Sequence, residues 1–176
     1  MIRLLLAIVL CAAPLAPATA LDAVYLVRHA EKSEGWPQDR ELDAFWPLSP
    51  GGQVRAEFLA SRLENSGIAA VYTSRTTRAL MTGLPLANRI KVPIAARDDM
   101  EAFLPTLGGK HSGDKAVLVV GHSNTIPILL MKLGATPDCY EKLGIVKKGE
   151  TFFIEGHDGL WKLDLKKQGC EALSRE

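Results

Sequence analysis

Apolar residues in this chain run in short unbroken blocks that end abruptly on polar ones. Ala23-Val24-Tyr25-Leu26-Val27 stops at Arg28-His29, and Ala116-Val117-Leu118-Val119-Val120 stops at Gly121-His122-Ser123-Asn124. Blocks of this length, rich in β-branched residues and closed by polar ones, predict strands buried on both faces. Segments 69–73 and 92–95 predict two more strands, and 151–155 and 160–165 a further pair. Helical spacing fills the gaps between the first four. Within 50–65, Ala56, Leu59, Ala60 and Leu63 follow the i, i+3, i+4, i+7 rhythm of one helix face, with Arg55, Glu57, Arg62 and Glu64 on the others. Ser49 is the expected N-cap, Pro50 the first turn and Gly67 the stop. A second helix is expected from about Thr76 to Ile90, kinked or restarted at Pro85, because proline removes a main-chain donor. A third begins near Asn124 and ends by Gly134, and a short one covers Asp98 to Leu107.

Strands alternating with helices imply βαβ units, hence an α/β fold. The expected architecture is a three-layer α/β/α sandwich around a mainly parallel sheet. Phe152-Phe153-Ile154 and Leu160-Trp161-Lys162-Leu163 are separated by Glu155-Gly156-His157-Asp158-Gly159, which reads as a hairpin. The sheet should therefore finish in an antiparallel C-terminal edge. The stretch from Ser33 to Leu48 is irregular, with Trp36, Pro37, Trp46 and Pro47, and reads as a long functional loop. Its aromatic residues Trp36, Phe45 and Trp46 fit either an apolar lid that stacks on a sugar ring or plugs beneath the loop.

Residues 1–20 stand apart. Met1-Ile2-Arg3 is a short basic start, Leu4 to Ala13 is apolar, and Ala18-Thr19-Ala20 has the form of a cleavage site. This is the pattern of a secretory signal peptide, and Pro14 and Pro17 interrupt a run already short for a membrane span. Cleavage would leave residues 21–176 as one domain with no stable membrane anchor, in the periplasm. Of the chain's 21 basic residues only Arg3 falls in the leader, so the remainder balances 20 acidic ones and is neutral. That argues against nucleic acid as a partner, which calls for a broad basic face. Cys139 and Cys170 survive processing, and in an oxidising compartment a disulfide between them is one possibility. With no Cys-x-x-Cys and no close histidine pair, neither a metal site nor a metal cofactor is expected.

Ligands of α/β sheets gather beyond the carboxyl ends of the strands. Four segments deliver polar residues there: Arg28-His29, Thr73-Ser74-Arg75-Thr76-Thr77-Arg78, Asp98-Asp99 with Glu101, and Gly121-His122-Ser123-Asn124. Two histidines with two or three arginines suit a phosphate group, since a guanidinium fork matches its oxygens. A strand-end histidine is more often structural than catalytic; two of them at equivalent positions shift the balance. Arg75 fits a phosphate contact or a surface group, with the second preferred. His111 and His157, in a Gly/Lys-rich loop and a hairpin turn, read as surface residues.

At these residues the sequence resembles the histidine phosphatase superfamily, which includes the cofactor-dependent phosphoglycerate mutases. Arg28-His29-Ala30 stands for the family's Arg-His-Gly, and Ala30-Glu31-Lys32 resembles a compact bacterial branch rather than the mutases. Leu48-Ser49-Pro50-Gly51-Gly52-Gln53-Val54-Arg55-Ala56 resembles the Leu-Thr-x-x-Gly-x-x-Gln-Ala helix start. Tyr72 to Ala79 resembles the Ser-x-x-x-Arg-Ala element, and Val119 to Thr125 the second histidine motif. All four occur in the family's order.

The resemblance implies a phosphoglycerate mutase-like fold over residues 21–176 and a phosphatase that uses no cofactor. It makes His29 the nucleophile that forms a phosphohistidine. Arg28, Arg78 and His122 would bind the phosphoryl oxygens, with His122 also in the catalytic set. The family's usual proton-donor pattern is missing between the third strand and Ala116, leaving Glu31 and Asp99 as candidates. The expected partner is a small phosphorylated substrate, with an envelope sugar phosphate one possibility. A phosphate-binding module without catalysis and a phosphomutase are the alternatives.

Overall fold

β1 (Ala23–Arg28) and a strand over Ala116–Gly121 lie side by side and parallel at the centre of a six-stranded sheet. The computed structural model describes residues 21–35, 41–135, 137–142, 144–167 and 169–173; the leader and Trp36 lie outside them. In chain order β2 spans Ile68–Ser74, β3 Ile94–Arg97, β4 Ala116–Gly121, β7 Leu160–Asp164 and β8 Gly169–Leu173. The sheet order is β3-β2-β4-β1-β7-β8, parallel from β3 to β1 and antiparallel across β7 and β8. The expected parallel sheet with an antiparallel C-terminal edge is what forms.

Alternation along the two central strands feeds two cores. Val24 and Leu26 of β1 join Val117 and Val119 of β4 on one face, under α3 (Met100–Phe103), α4 (Leu107–Lys110) and α5 (Thr125–Lys132). Ala23, Tyr25 and Val27 join Leu118 and Val120 on the other, under α1 (Pro50–Leu63) and α2 (Thr77–Ile90). Val24, Leu26 and Val117 to Val120 are completely buried, and each such side chain contributes about 1.5–3 kcal/mol. The two strands that lead into His29 and His122 are thus firmly anchored in the core.

The helices start and stop as their sequences specify. Ser49 Oγ accepts from the Gly52 amide at 3.0 Å, so it caps α1, and Pro50 occupies the first turn. α2 is capped by Thr76 and runs without a break through Pro85, so the restart expected there is absent. Instead of one helix over Asp98 to Leu107 the chain makes three short turns, α3, a 3-10 turn over Leu104–Thr106 and α4. Cys139, in α6 (Pro137–Lys142), is disulfide-bonded, and α6 packs against β8, the strand that carries Cys170.

The hairpin expected across 155–159 does not form. β6 (Thr151–Ile154) pairs with β5 (Ile145–Lys148) in a separate two-stranded sheet, turning through Gly149 at φ +63°. β7 instead lies antiparallel to the open edge of β1. Anchors at the end of β6 explain the difference: the Ile154 amide donates to Ser123 O at 2.9 Å, and Arg28 reaches the Gly156 carbonyl at 2.8 Å. Residues 155–159 are consequently a crossover drawn across the ends of β1 and β4.

Candidate active site

Strand register sets the centre of the site. Arg28 pairs with Gly121 across β1 and β4, and the next amide, that of His29, donates to Gly121 O at 2.9 Å. His29 and His122 therefore leave adjacent parallel strands at the same level, with ring centroids 5.1 Å apart. The two histidines singled out in the sequence come together.

His29 is buried, and its tautomer follows from its partners. Nδ1 lies 2.7 Å from the Ala30 carbonyl, which can only accept, so Nδ1 carries the proton. Nε2 then presents its lone pair and accepts from Arg78 Nε at 3.2 Å. Burial pushes the His29 pKa down to about 3; the Ala30 bond opposes this, and His122, Arg78 and His157 add to it. His122 is pushed down to about 4, first by burial and then by Arg78, with Asp43 acting the other way. Both rings are neutral near pH 7, the state a nitrogen nucleophile requires.

Arg78 opens α2 and is almost completely buried, yet its charge is well partnered. Nη1 donates to Asp43 O at 2.6 Å and Nη2 to Asp43 Oδ2 at 2.8 Å, while Nε faces His29. One turn along, Thr82 Oγ1 donates to the Arg78 carbonyl at 2.7 Å and accepts from the Ala30 amide at 3.0 Å. That hydroxyl ties α2 to the segment that positions His29. Arg28 donates through Nη1 to Gly156 O, and its Nε is buried with no hydrogen-bond partner. Ser74 Oγ, at the end of β2, is 2.8 Å from His122 Nε2. Arg28, Arg78 and two neutral imidazoles thus surround one spot at the sheet edge, an arrangement suited to a phosphoryl dianion.

Ala30, in place of the motif glycine, packs on Leu48 and Ala56 beneath α1. Of the loop aromatics, Trp46 is a plug: it is buried, its Nε1 donates to Ser33 O at 2.6 Å, and Lys32 Nζ lies 3.3 Å from its ring centre. Phe45 is largely exposed beside Asp43.

Both carboxyls proposed as proton donors are held by arginines other than Arg28 and Arg78. Glu31 is held bidentately by Arg55 at 2.6 and 2.9 Å, and that bond, opposed by partial burial, keeps it below the usual carboxylate range. Asp99 is exposed and bound by Arg97 at 2.8 and 2.9 Å, which lowers it too. Asp98 pairs with Arg75 at 3.0 Å, so Arg75 is a surface group as preferred. Asp43 meets the site through Arg78, and nothing in the irregular sequence of its loop singled it out.

Two histidines expected at the surface are not there. His157 Nδ1 donates to the His29 carbonyl at 2.7 Å, and its ring centre lies 5.5 Å from that of His29, because the 155–159 crossover replaces a hairpin. His111 is buried between Tyr72 Oη at 2.6 Å and Asp114 Oδ2 at 2.7 Å, fastening the 99–114 segment to β2. Among the described residues no group of three or more His, Cys, Asp or Glu could hold a metal ion, and no helix is long and apolar enough to cross a membrane.

Residues 24–102 match the sequence model of the histidine phosphatase superfamily (branch 1), a span that runs from β1 through His29 and Arg78 into α3. That span is a little under half of the chain, and over it the chain is similar to the histidine phosphatase superfamily. Solved structures carry the same fold over most of the chain. One assigned as the phosphohistidine phosphatase SixA of Agrobacterium tumefaciens superposes with a TM-score of 0.65 at 20% identity, covering 88% of this chain and 99% of its own. The protein histidine phosphatase SixA complexed with tungstate gives 0.56 at 19% identity over 86% and 94%. A mycobacterial glucosyl-3-phosphoglycerate phosphatase with VO3 gives 0.57 at 15% identity over 86% and 97%. No curated protein sequence matches the chain. At these identities the likeness is one of fold.

Proposed function

We propose that this chain is an exported phosphatase that hydrolyses a phosphorylated small compound through a phosphohistidine on His29. One observation carries the reading: Nδ1 of His29 is committed to the Ala30 carbonyl, so Nε2 is the nucleophile, and it faces Arg78 beside His122. His29 attacks phosphorus in line, the ester bond breaks, and water then takes the phosphoryl group from the histidine. Dividing the displacement in two is nucleophilic catalysis. Arg28, Arg78 and His122 stabilise charge on the flattened phosphoryl group, and as oriented donors they need no reorganisation while it shifts. The scheme draws its positive charge from guanidinium groups and calls for no metal.

Export rests on the leader pattern of residues 1–20, and it makes the periplasm the place of action. A periplasmic substrate fits phosphorylated envelope sugars or scavenged esters. Similarity in fold to the SixA structures adds phosphohistidine, whose leaving group is good, to the classes worth assaying. Two intact histidines favour turnover over mere binding.

The test uses mature chain 21–176 and a panel of phosphate esters. Turnover with an acid-labile phosphoryl label, both lost in His29→Ala, is the expected result. Undiminished hydrolysis of an aryl phosphate by that variant would sink the proposal, and anion binding without label or turnover would favour a binding module.

A further inference from the structure

We propose that Asp43 is the acid–base residue of this reaction, carried on the 3-10 turn Asp43–Phe45 and held in register by Arg78. The inference rests on the phosphatase reading above and deepens it. Arg78 spans the distance between the two groups: Nη2 meets Asp43 Oδ2 at 2.8 Å, and Nε meets the attacking His29 Nε2 at 3.2 Å. The carboxyl is therefore one guanidinium away from the nucleophile. It is half-exposed, whereas Arg78 is almost completely buried. The other carboxyls weighed for the role are engaged elsewhere, Glu31 by Arg55, Asp98 by Arg75, Asp99 by Arg97 and Glu101 by Lys132.

The resting contacts explain how the group is primed. The Arg78 fork that holds Asp43 is the same fork a phosphoryl group requires, and its Nε blocks the lone pair that must attack. A bound phosphoryl dianion takes the fork and frees both. An ionised Asp43 would then face a dianion without its cation, and like charges at such range favour the protonated carboxyl. The ion pair with Arg78 thus keeps Asp43 ionised in the empty site, and substrate converts it into an acid.

As the N–P bond forms at His29 Nε2, the P–O bond breaks, its electron pair goes to the leaving oxygen, and that oxygen takes the Asp43 proton. In the second step the Asp43 carboxylate accepts a proton from water as the water oxygen bonds to phosphorus. The N–P bond then breaks, its pair returns to Nε2, and inorganic phosphate leaves.

The decisive comparison is Asp43→Asn against wild type on a 4-nitrophenyl phosphate and an alkyl phosphate, since asparagine still offers Arg78 an acceptor. A general acid matters most for a poor leaving group, so kcat on the alkyl ester should fall on the order of 10²–10⁴-fold and that on the nitrophenyl ester by less than about 10-fold. Asp43→Glu should recover part of the alkyl activity. Calorimetry of sulfate binding at pH 6, in buffers of different ionisation enthalpy, should register more proton uptake by wild type than by Asp43→Asn. Equal losses on both esters, or equal proton uptake, overturn the role of Asp43 while the phosphatase reading stands. A wild-type chain that hydrolyses neither ester and takes no label removes that reading, and this role with it.

Discussion

His157 donates its Nδ1 hydrogen to the main-chain oxygen of His29 at 2.7 Å, so the backbone of the proposed nucleophile is fixed by a residue 128 positions away. The bond closes a loop of contacts, because Arg28 in turn holds the Gly156 carbonyl at 2.8 Å. The chain end of β1 and the 155–159 crossover position each other.

This makes His157 a positioning residue whose removal should act on kcat. His157→Ala should lower kcat about 10-fold, the order expected when a supporting bond to a site residue is lost, with little change in KM. Asparagine can place an amide N–H where Nδ1 stood, so His157→Asn should recover much of the loss. A rise in KM alone, or no recovery with asparagine, would mean that the ring contributes bulk and not its hydrogen bond.

The protonation of the paired histidines gives a second prediction. With pKa values near 3 for His29 and 4 for His122, long-range ¹H–¹⁵N spectra should find both rings neutral, and His29 in the Nδ1–H form, from pH 8 down to 5.5. The sign of the stability effect follows. Below about pH 6.5 the unfolded histidines gain protons that the folded ones refuse, so the unfolded state binds more and stability falls with falling pH. The urea midpoint should therefore drop between pH 7 and 5, a window mostly above the carboxylate titrations. An imidazolium signal for either ring with a midpoint near 6.5 would contradict the buried, cation-flanked environment.

Much of this arrangement is legible in the sequence, and what is not has a physical reason. Unbroken apolar blocks ending at His29 and His122 specify central strands, and parallel neighbours of equal register must bring their ends together. Thr82 was also within reach, being one helical turn from Arg78 on the same face of α2. The 155–159 segment misleads because Gly156 and Gly159 give it hairpin composition, while the competing partner, Ile145–Lys148, becomes visible only through the Gly149-Glu150 turn. His157 fails with it, since its place depends on which strands pair. Asp43 is the harder case: its role depends on where an irregular loop settles on a buried guanidinium, and no periodicity encodes that.

The helix start at Gly51-Gly52 offers a test in which two adjacent, chemically identical residues should behave differently. A Cβ at Gly52 would stand 2.2 Å from the Glu31 carbonyl oxygen, whereas one at Gly51 would meet nothing nearer than Ser49 Oγ at 3.8 Å. The Glu31 carbonyl also accepts from the Ser49 amide at 2.9 Å, so the first turn of α1 rests directly on the peptide that follows Ala30. Backbone against backbone cannot yield by a rotamer change. Gly52→Ala must push α1 away from Glu31, and Ala30, whose carbonyl fixes the His29 tautomer, moves with it. The expected cost is about 1–3 kcal/mol, as for other overpacked sites, together with a fall in kcat. At roughly 2–4 °C per kcal/mol for a chain of this size, the loss is readable in a thermal melt. Gly51→Ala lies in a helix with open space and should be neutral or stabilising by up to about 1 kcal/mol, with activity unchanged. Equal melting temperatures and equal activities for the two variants would show that the contact between α1 and Glu31 does not hold His29 in place.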